Sequence, residues 1–139
     1  SSSSSSSIIS KSADLEEEII RLLYKRAVDL ESKWTPQTIS SMLWSIARSP
    51  ILGMPASKRR MIHILENAAI RHQDDFSSYH ISITLWSFAK LAYPPTKNFL
   101  QNFDKPVRDA IRLLKEDEHR SLMWAMEVLG WRMEENTTS

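Results

Sequence analysis

From residue 14 onward, apolar side chains recur three or four residues apart, the spacing that one face of an α-helix requires. Prolines and capping residues separate the periodic stretches. The pattern predicts six helices, at about 14–32, 36–49, 56–73, 78–92, 96–115 and 117–130. Pro106 falls inside the fifth stretch, and we expect a break near 103–106 because proline removes a helical hydrogen bond.

The second predicted helix has a strong start signal. Thr35 is a favourable N-cap, and Pro36 follows at the first helical position, where its missing N–H costs nothing. Trp34 and Ile39 have the spacing of a hydrophobic staple across this helix start. The same signal recurs 42 residues later at Phe76, Ser77 and Ile81.

One short motif is written more than once. Residues 38–48 read TISSMLWSIAR, and residues 80–90 read HISITLWSFAK. A third, weaker copy places Leu-Met-Trp-Ala around Trp124, so the motif recurs about every 40 residues. This period is typical of solenoids built from helical pairs. The chain is therefore predicted to be all-α, a short α-solenoid of two to three repeats of 38–42 residues, each an antiparallel helical pair.

The residues shared by the copies of the motif predict how the helices pack. On a helical wheel, the shared apolar residues of the motif and its Trp fall in one wide arc, which suits a helix that touches both its pair partner and the next repeat. We expect each Trp to be a buried wedge between successive repeats. The predicted structural core of the repeats is Trp44, Trp86, Trp124, Ile39, Ile81, Leu43 and Leu85.

The opposite arc of the motif is short, polar and mildly basic. In a stacked solenoid its side chains would form rows on one surface, as in repeat proteins that read single-stranded RNA. A solvated helix face without a ligand explains the same pattern. The candidate contacts on this polar face are Thr38, Ser41, Ser45, His80, Thr84 and Ser87.

Composition narrows the classes of function. The 139 residues include no Cys, which excludes disulfides and thiolate chemistry, and the net charge is only +1. No apolar run reaches the roughly 18 residues that a membrane span requires.

Residues 1–12 are expected to form a Ser-rich disordered tail, passive or phosphorylatable. Residues 13–135 form one helical-repeat domain, and 136–139 a polar tail.

No catalytic or metal chemistry is indicated. The four His residues show no ligand spacing, and no glycine-rich phosphate loop is present. Glu16, Glu17 and Glu18 are better explained by the positive end of a helix dipole than by acid–base catalysis. We expect a protein that is not an enzyme and needs no cofactor, metal ion or small-molecule substrate.

Charge is uneven along the chain, with a basic middle between two acidic ends. Cations in the middle are suited to phosphate contacts, although ordinary surface charge explains them equally well. The candidates for phosphate contact are Lys58, Arg59, Arg60, Arg48 and Lys90.

PQTISSMLWSIAR and YHISITLWSFAKLAYPP resemble octotricopeptide repeats, units of about 38 residues that form two antiparallel helices. The resemblance covers roughly residues 34–131. It implies RNA metabolism in a mitochondrion or, alternatively, a plastid, as in related organellar RAP-domain and FAST-kinase-like proteins. No segment resembles a RAP domain.

With so few repeats, we expect a small component of a mitochondrial ribosome or similar ribonucleoprotein, contacting rRNA and neighbouring proteins. The alternative is a protein-only scaffold of an organellar membrane or enzyme complex.

Overall fold

A computed structural model describes residues 34–48 and 56–131, together with Glu18, Arg21, Leu22 and Lys25. The continuous ranges contain five α-helices: α1 (Pro36–Arg48), α2 (Ala56–Arg71), α3 (Ser78–Lys90), α4 (Lys97–Leu113) and α5 (Glu116–Leu129). A single 3₁₀ turn, Gln73–Asp75, follows α2, and no strand occurs in these ranges. The predicted all-α class is confirmed. The predicted helix at 14–32 lies outside the described residues apart from those four, which are helical, and both predicted tails lie outside them too.

The helices form two layers. In the first layer α3 packs between α1 and α5, and in the second layer α2 packs against α4. The layers are joined within each pair, α1 with α2 and α3 with α4. Trp34, just before α1, lines a cavity with Arg71 at the end of α2, so the two helices of this pair run in opposite directions. The arrangement is a short α-solenoid of antiparallel helical pairs, as predicted.

The two predicted N-cap residues, Thr35 and Ser77, behave differently. The Thr38 backbone N–H donates to Thr35 Oγ1 (3.2 Å), which confirms the predicted cap of α1. Ser77 occupies the N-cap position of α3, but its hydroxyl pairs with His80 Nδ1 (2.8 Å) and caps no backbone N–H. At the far end, Gly130 ends α5 in the left-handed conformation, with φ 70°.

The core lies between the layers. Phe99 stacks on Phe103 with ring centroids 4.2 Å apart, and Phe88 meets Phe99 edge to face at 5.3 Å. The aliphatic positions that the sequence pattern places in the core of the repeats are buried as predicted; they are Ile39, Leu43, Ile81 and Leu85. Both predicted staple pairs, Trp34 with Ile39 and Phe76 with Ile81, are buried as well.

The predicted break near 103–106 is wrong, because α4 continues through Pro106 without interruption. Pro106 removes one backbone hydrogen bond, the one to the carbonyl of Asn102. Phe103 and Val107, on either side of it, are both fully buried. Their packing supports the helix on both sides of the proline, so tertiary contacts outweigh its local cost and α4 is not interrupted.

A buried carboxylate links the two helical pairs. Glu66 in α2 is 1% exposed and accepts hydrogen bonds from the Thr96 backbone N–H (2.7 Å) and hydroxyl (2.7 Å) and from the Tyr93 hydroxyl (3.3 Å). Thr96 is the N-cap of α4, so the carboxylate also faces the positive end of that helix dipole. Burial of the Tyr93 ring, together with the Glu66 carboxylate, raises the pKa of Tyr93. Glu66 therefore fixes α4 against α2.

We expect Glu66→Ala to lower the free energy of unfolding by about 2 kcal/mol, because it leaves partly buried hydrogen-bond donors of Thr96 and Tyr93 without their acceptor. Glu66→Gln keeps one acceptor oxygen and should cost about 1 kcal/mol. Urea denaturation followed by circular dichroism measures both values. Equal stability of the alanine variant and the parent protein would contradict a structural role for this carboxylate.

Candidate nucleic-acid interface

The three motif tryptophans lie on successive helices of the first layer. The prediction that they are buried wedges is wrong for Trp44 and Trp124, and it holds in part for Trp86, which packs partly buried against the core. Trp44 is 40% exposed, Trp124 is 41% exposed, and Trp86 is half-buried. At 100° per residue, Trp44 lies about 110° around α1 from the centre of its buried stripe of Ile39, Ser40, Leu43 and Ile46. The Trp44 ring therefore lies at the flank of the buried stripe and not within it.

Small residues make the contact that the repeat pattern predicts for the tryptophans. Ser40 in α1 and Ser82 in α3 hold equivalent positions of the motif, and both are buried. The Ser82 hydroxyl donates to the backbone carbonyl of Glu118 in α5 (3.4 Å), so α3 and α5 approach each other at a serine. A large indole ring does not fit in so close an approach. It is displaced to the edge of the helix contact, where one part of the ring is covered and the other is open.

Basic side chains lie over these rings. The Arg48 guanidinium carbon is 4.6 Å from the Trp44 ring centroid. The Lys90 ammonium is 5.4 Å from the Trp86 centroid and 5.4 Å from the Trp124 centroid, and so bridges two helices. Each cation follows a Trp of its own helix by four residues, which places both on one helix face. We call these five residues the tryptophan row.

The third copy of the motif departs from this pattern. Val128 in α5 stands where α3 has Lys90, and it is exposed. Trp124 therefore has no cation on its own helix at this position and shares Lys90 with Trp86. The two complete copies supply both cations of the row.

The predicted polar face is only partly a surface. Ser41 and Ser45 in α1 are exposed, but Thr84 is 1% exposed and Ser87 is 0% exposed, so the prediction that these two contact a ligand is wrong. The Thr84 hydroxyl donates to the His80 carbonyl of its own helix (2.8 Å). The physical reason is position in the layer, because α3 packs between α1 and α5, which covers this face, whereas Ser41 and Ser45 of α1 are exposed.

The remaining members of that face, Thr38 and His80, take part in helix starts. Thr38 Oγ1 is 2.8 Å from Thr35 Oγ1, and His80 pairs with Ser77. Partial burial lowers the pKa of His80, so the imidazole is held towards its neutral form. These two residues sit at the helix ends opposite to Arg48 and Lys90.

Exposed cations collect along one edge of the solenoid, where the first-layer helices end and the second-layer helices begin. We call this the basic edge. Its members are Arg48, Arg59, Arg60, Lys90 and Lys97, all exposed. The predicted phosphate contact at Lys58 is wrong, because this side chain is 4% exposed. The one acidic residue of α2, Glu66, is buried, and the exposed Glu127 near the end of α5 offsets one of the five cations, so the charge of this edge stays positive among the described residues.

Across residues 34–48 and 56–131, no three His, Asp or Glu side chains are placed to hold a metal ion, and no helix is long and apolar enough to cross a membrane. A comparison of the chain with protein-family models, with curated proteins and with solved structures finds no match.

Ser87 is buried and its motif equivalent Ser45 is exposed, so the same substitution at the two positions gives a test and a matched control. Its hydroxyl finds no hydrogen-bond partner in the described part of the chain. Ser87→Ala should therefore raise the free energy of unfolding by about 1 kcal/mol. Ser45→Ala, at the equivalent exposed position of α1, should change it by less than about 0.5 kcal/mol. Paired denaturation curves measure the difference, and a decrease in the stability of Ser87→Ala would contradict the packing described for α3.

Proposed function

We propose that this chain is a non-catalytic helical-repeat protein that binds RNA. The observation that supports the proposal is the gathering of exposed cations on the basic edge, two of which also lie on the tryptophan row. The chain has a net charge of only +1, so this edge is a local concentration of charge and not a consequence of a basic protein. A phosphate backbone is the polymer that such a line of cations attracts.

The pairing of cations with exposed aromatic faces favours nucleic acid over a purely anionic partner. Proteins that bind single-stranded nucleic acids combine positive charge for the backbone with aromatic rings for the bases. Arg48 beside Trp44 and Lys90 beside Trp86 repeat this combination on neighbouring helices. Packed helices lie about 8–10 Å apart, so the layer presents equivalent side chains at regular intervals to an extended polymer.

The proposed setting is a large ribonucleoprotein in an organelle, with the mitochondrial ribosome as the leading candidate and a plastid assembly as the alternative. The resemblance to octotricopeptide repeats supports the organelle. The small number of repeats supports a component of an assembly, because two complete helical pairs offer few sites for phosphate. In this setting the basic edge meets rRNA and the remaining surfaces meet protein subunits.

A protein-only scaffold is the second candidate function, and one observation favours it. Met123, Trp124 and Val128 form an exposed apolar face on α5, and Tyr79 is exposed on α3. Aromatic residues beside Arg are also frequent at the centres of protein interfaces. On this hypothesis the tryptophan row would bind a neighbouring subunit.

Filter binding of a single-stranded RNA at increasing salt tests the proposal. Arg59→Ala with Arg60→Ala should weaken binding and reduce the slope of log K against log salt by about 0.7 for each phosphate that is no longer neutralised. The matched control is Lys105→Ala with Arg112→Ala, which removes two exposed charges of α4 away from the basic edge. This control should retain the parent slope.

A slope that is the same in the edge variant and the parent would contradict the assignment of the basic edge. The setting has a separate test in the native assembly. If RNase treatment leaves the chain fully bound to its protein neighbours, the scaffold hypothesis is favoured over RNA binding.

A further inference from the structure

We infer that the tryptophan row is a stacking ladder for unpaired bases, so that the RNA bound here is single-stranded. This inference rests on the proposed function and specifies which form of RNA the same surface takes. It reverses the role that the sequence pattern predicts for the tryptophans, which is packing alone.

The Lys90 ammonium occupies a position beside both Trp86 and Trp124, which we call the slot. The ammonium lies 5.4 Å from each ring centroid. Aromatic groups that interact, whether offset-stacked or edge to face, place their centroids about 4.5–7 Å apart. A base that takes the place of this ammonium is therefore within the range of aromatic contact with both rings.

Lys90 holds this slot in the free protein. The ammonium gains cation–π attraction from two rings, while its flexible stem keeps it at an exposed helix end. When a base enters, the ammonium moves out of the slot to the phosphate that follows the base. The exchange keeps the rings covered in both states and replaces a cation–π contact with base stacking and a charge pair.

Arg48 on α1 covers an aromatic ring in the same way as Lys90 does, but it lies over one ring and not two. Its guanidinium carbon lies 4.6 Å from the Trp44 centroid, and Trp44 is exposed. A planar guanidinium on an indole face occupies the place that a base takes on a single platform. The ladder thus has one single-ring site at Trp44 on α1, and the slot beside the rings of Trp86 on α3 and Trp124 on α5.

This geometry selects against duplex RNA. In a duplex each base is paired and stacked on its neighbours, so its faces are closed to protein rings. The deep, narrow major groove of the A-form also excludes side chains. Only an unpaired strand supplies a base to the slot while its phosphates reach the basic edge.

Trp124→Ala tests the ladder, with an oligouridylate of about ten nucleotides as the probe. Base stacking on an aromatic ring contributes about 1–3 kcal/mol, so affinity should fall roughly 5- to 150-fold. The salt slope should remain that of the parent, because no charge is removed. Trp124→Phe keeps a ring and should restore most of the affinity, and Leu113→Ala, which truncates an exposed apolar side chain of α4, should have no effect.

Lys90→Met separates the two roles of the lysine. The salt slope should fall by about 0.7, because one phosphate is no longer neutralised. Quenching of tryptophan fluorescence by the bound oligonucleotide should be at least as strong as in the parent, because the base no longer competes with an ammonium for the slot. Weaker quenching in Lys90→Met would overturn the proposed exchange.

The outcomes distinguish the ladder from the underlying function. If the parent binds the oligonucleotide in a salt-dependent way but Trp124→Ala binds it equally well, or a duplex binds as tightly as the single strand, the ladder is wrong and RNA binding stands. If the parent binds no RNA at any salt concentration, the proposed function itself fails. Should Trp124→Ala lose its helical circular dichroism, Trp44→Ala on α1 makes the same comparison.

Discussion

The close approach of neighbouring first-layer helices at small residues is the constraint on which the tryptophan row depends. Ser40 and Ser82 are buried where α1, α3 and α5 meet, and the Ser82 hydroxyl reaches the backbone of α5. Helices that approach at serine leave no room for an indole between them. The Trp four residues further along must lie at the rim of the contact, and the cation four residues beyond it lies over the ring. Packing in the layer thus places an aromatic surface and a charged one at the same location.

The second layer keeps these positions in register. Glu66 receives three hydrogen bonds from Tyr93 and Thr96, in the connection between α3 and α4. A buried carboxylate at the start of α4 allows little freedom in how one helical pair sits on the next. The stacked phenylalanines between the layers add a rigid core. The regular spacing of the tryptophan row therefore depends on groups that lie between the layers, away from the row itself.

Local signals in the sequence correctly predict the five helices of the described ranges, the cap at Thr35 and the burial of both staple pairs, because each depends on residues close together in the chain. Positions decided by tertiary packing are predicted wrongly. Pro106 has the pattern of a helix breaker, yet α4 continues through it with buried neighbours on either side. Ser45 and Ser87 are the same residue in the same motif, but Ser45 is exposed on α1, whereas Ser87 is buried on α3, which packs between two helices. The acceptor role of Glu66 depends on partners about 30 residues away, and no pattern in its own helix indicates it.

Each Trp falls at the flank of the buried arc, and a helical wheel cannot tell whether a flank is covered or open.

A chain with almost no net charge can still bind a polyanion when its cations are gathered in one place. Here they lie where first-layer helices end, and two of them are held over indole rings. The most direct test of RNA binding at the tryptophan row is ultraviolet crosslinking of the protein to single-stranded RNA, followed by mass spectrometry of the crosslinked peptides. Base stacking on the row predicts crosslinks at Trp44, Trp86 or Trp124. Crosslinks confined to α2 and α4, with none on the first-layer helices, would contradict it.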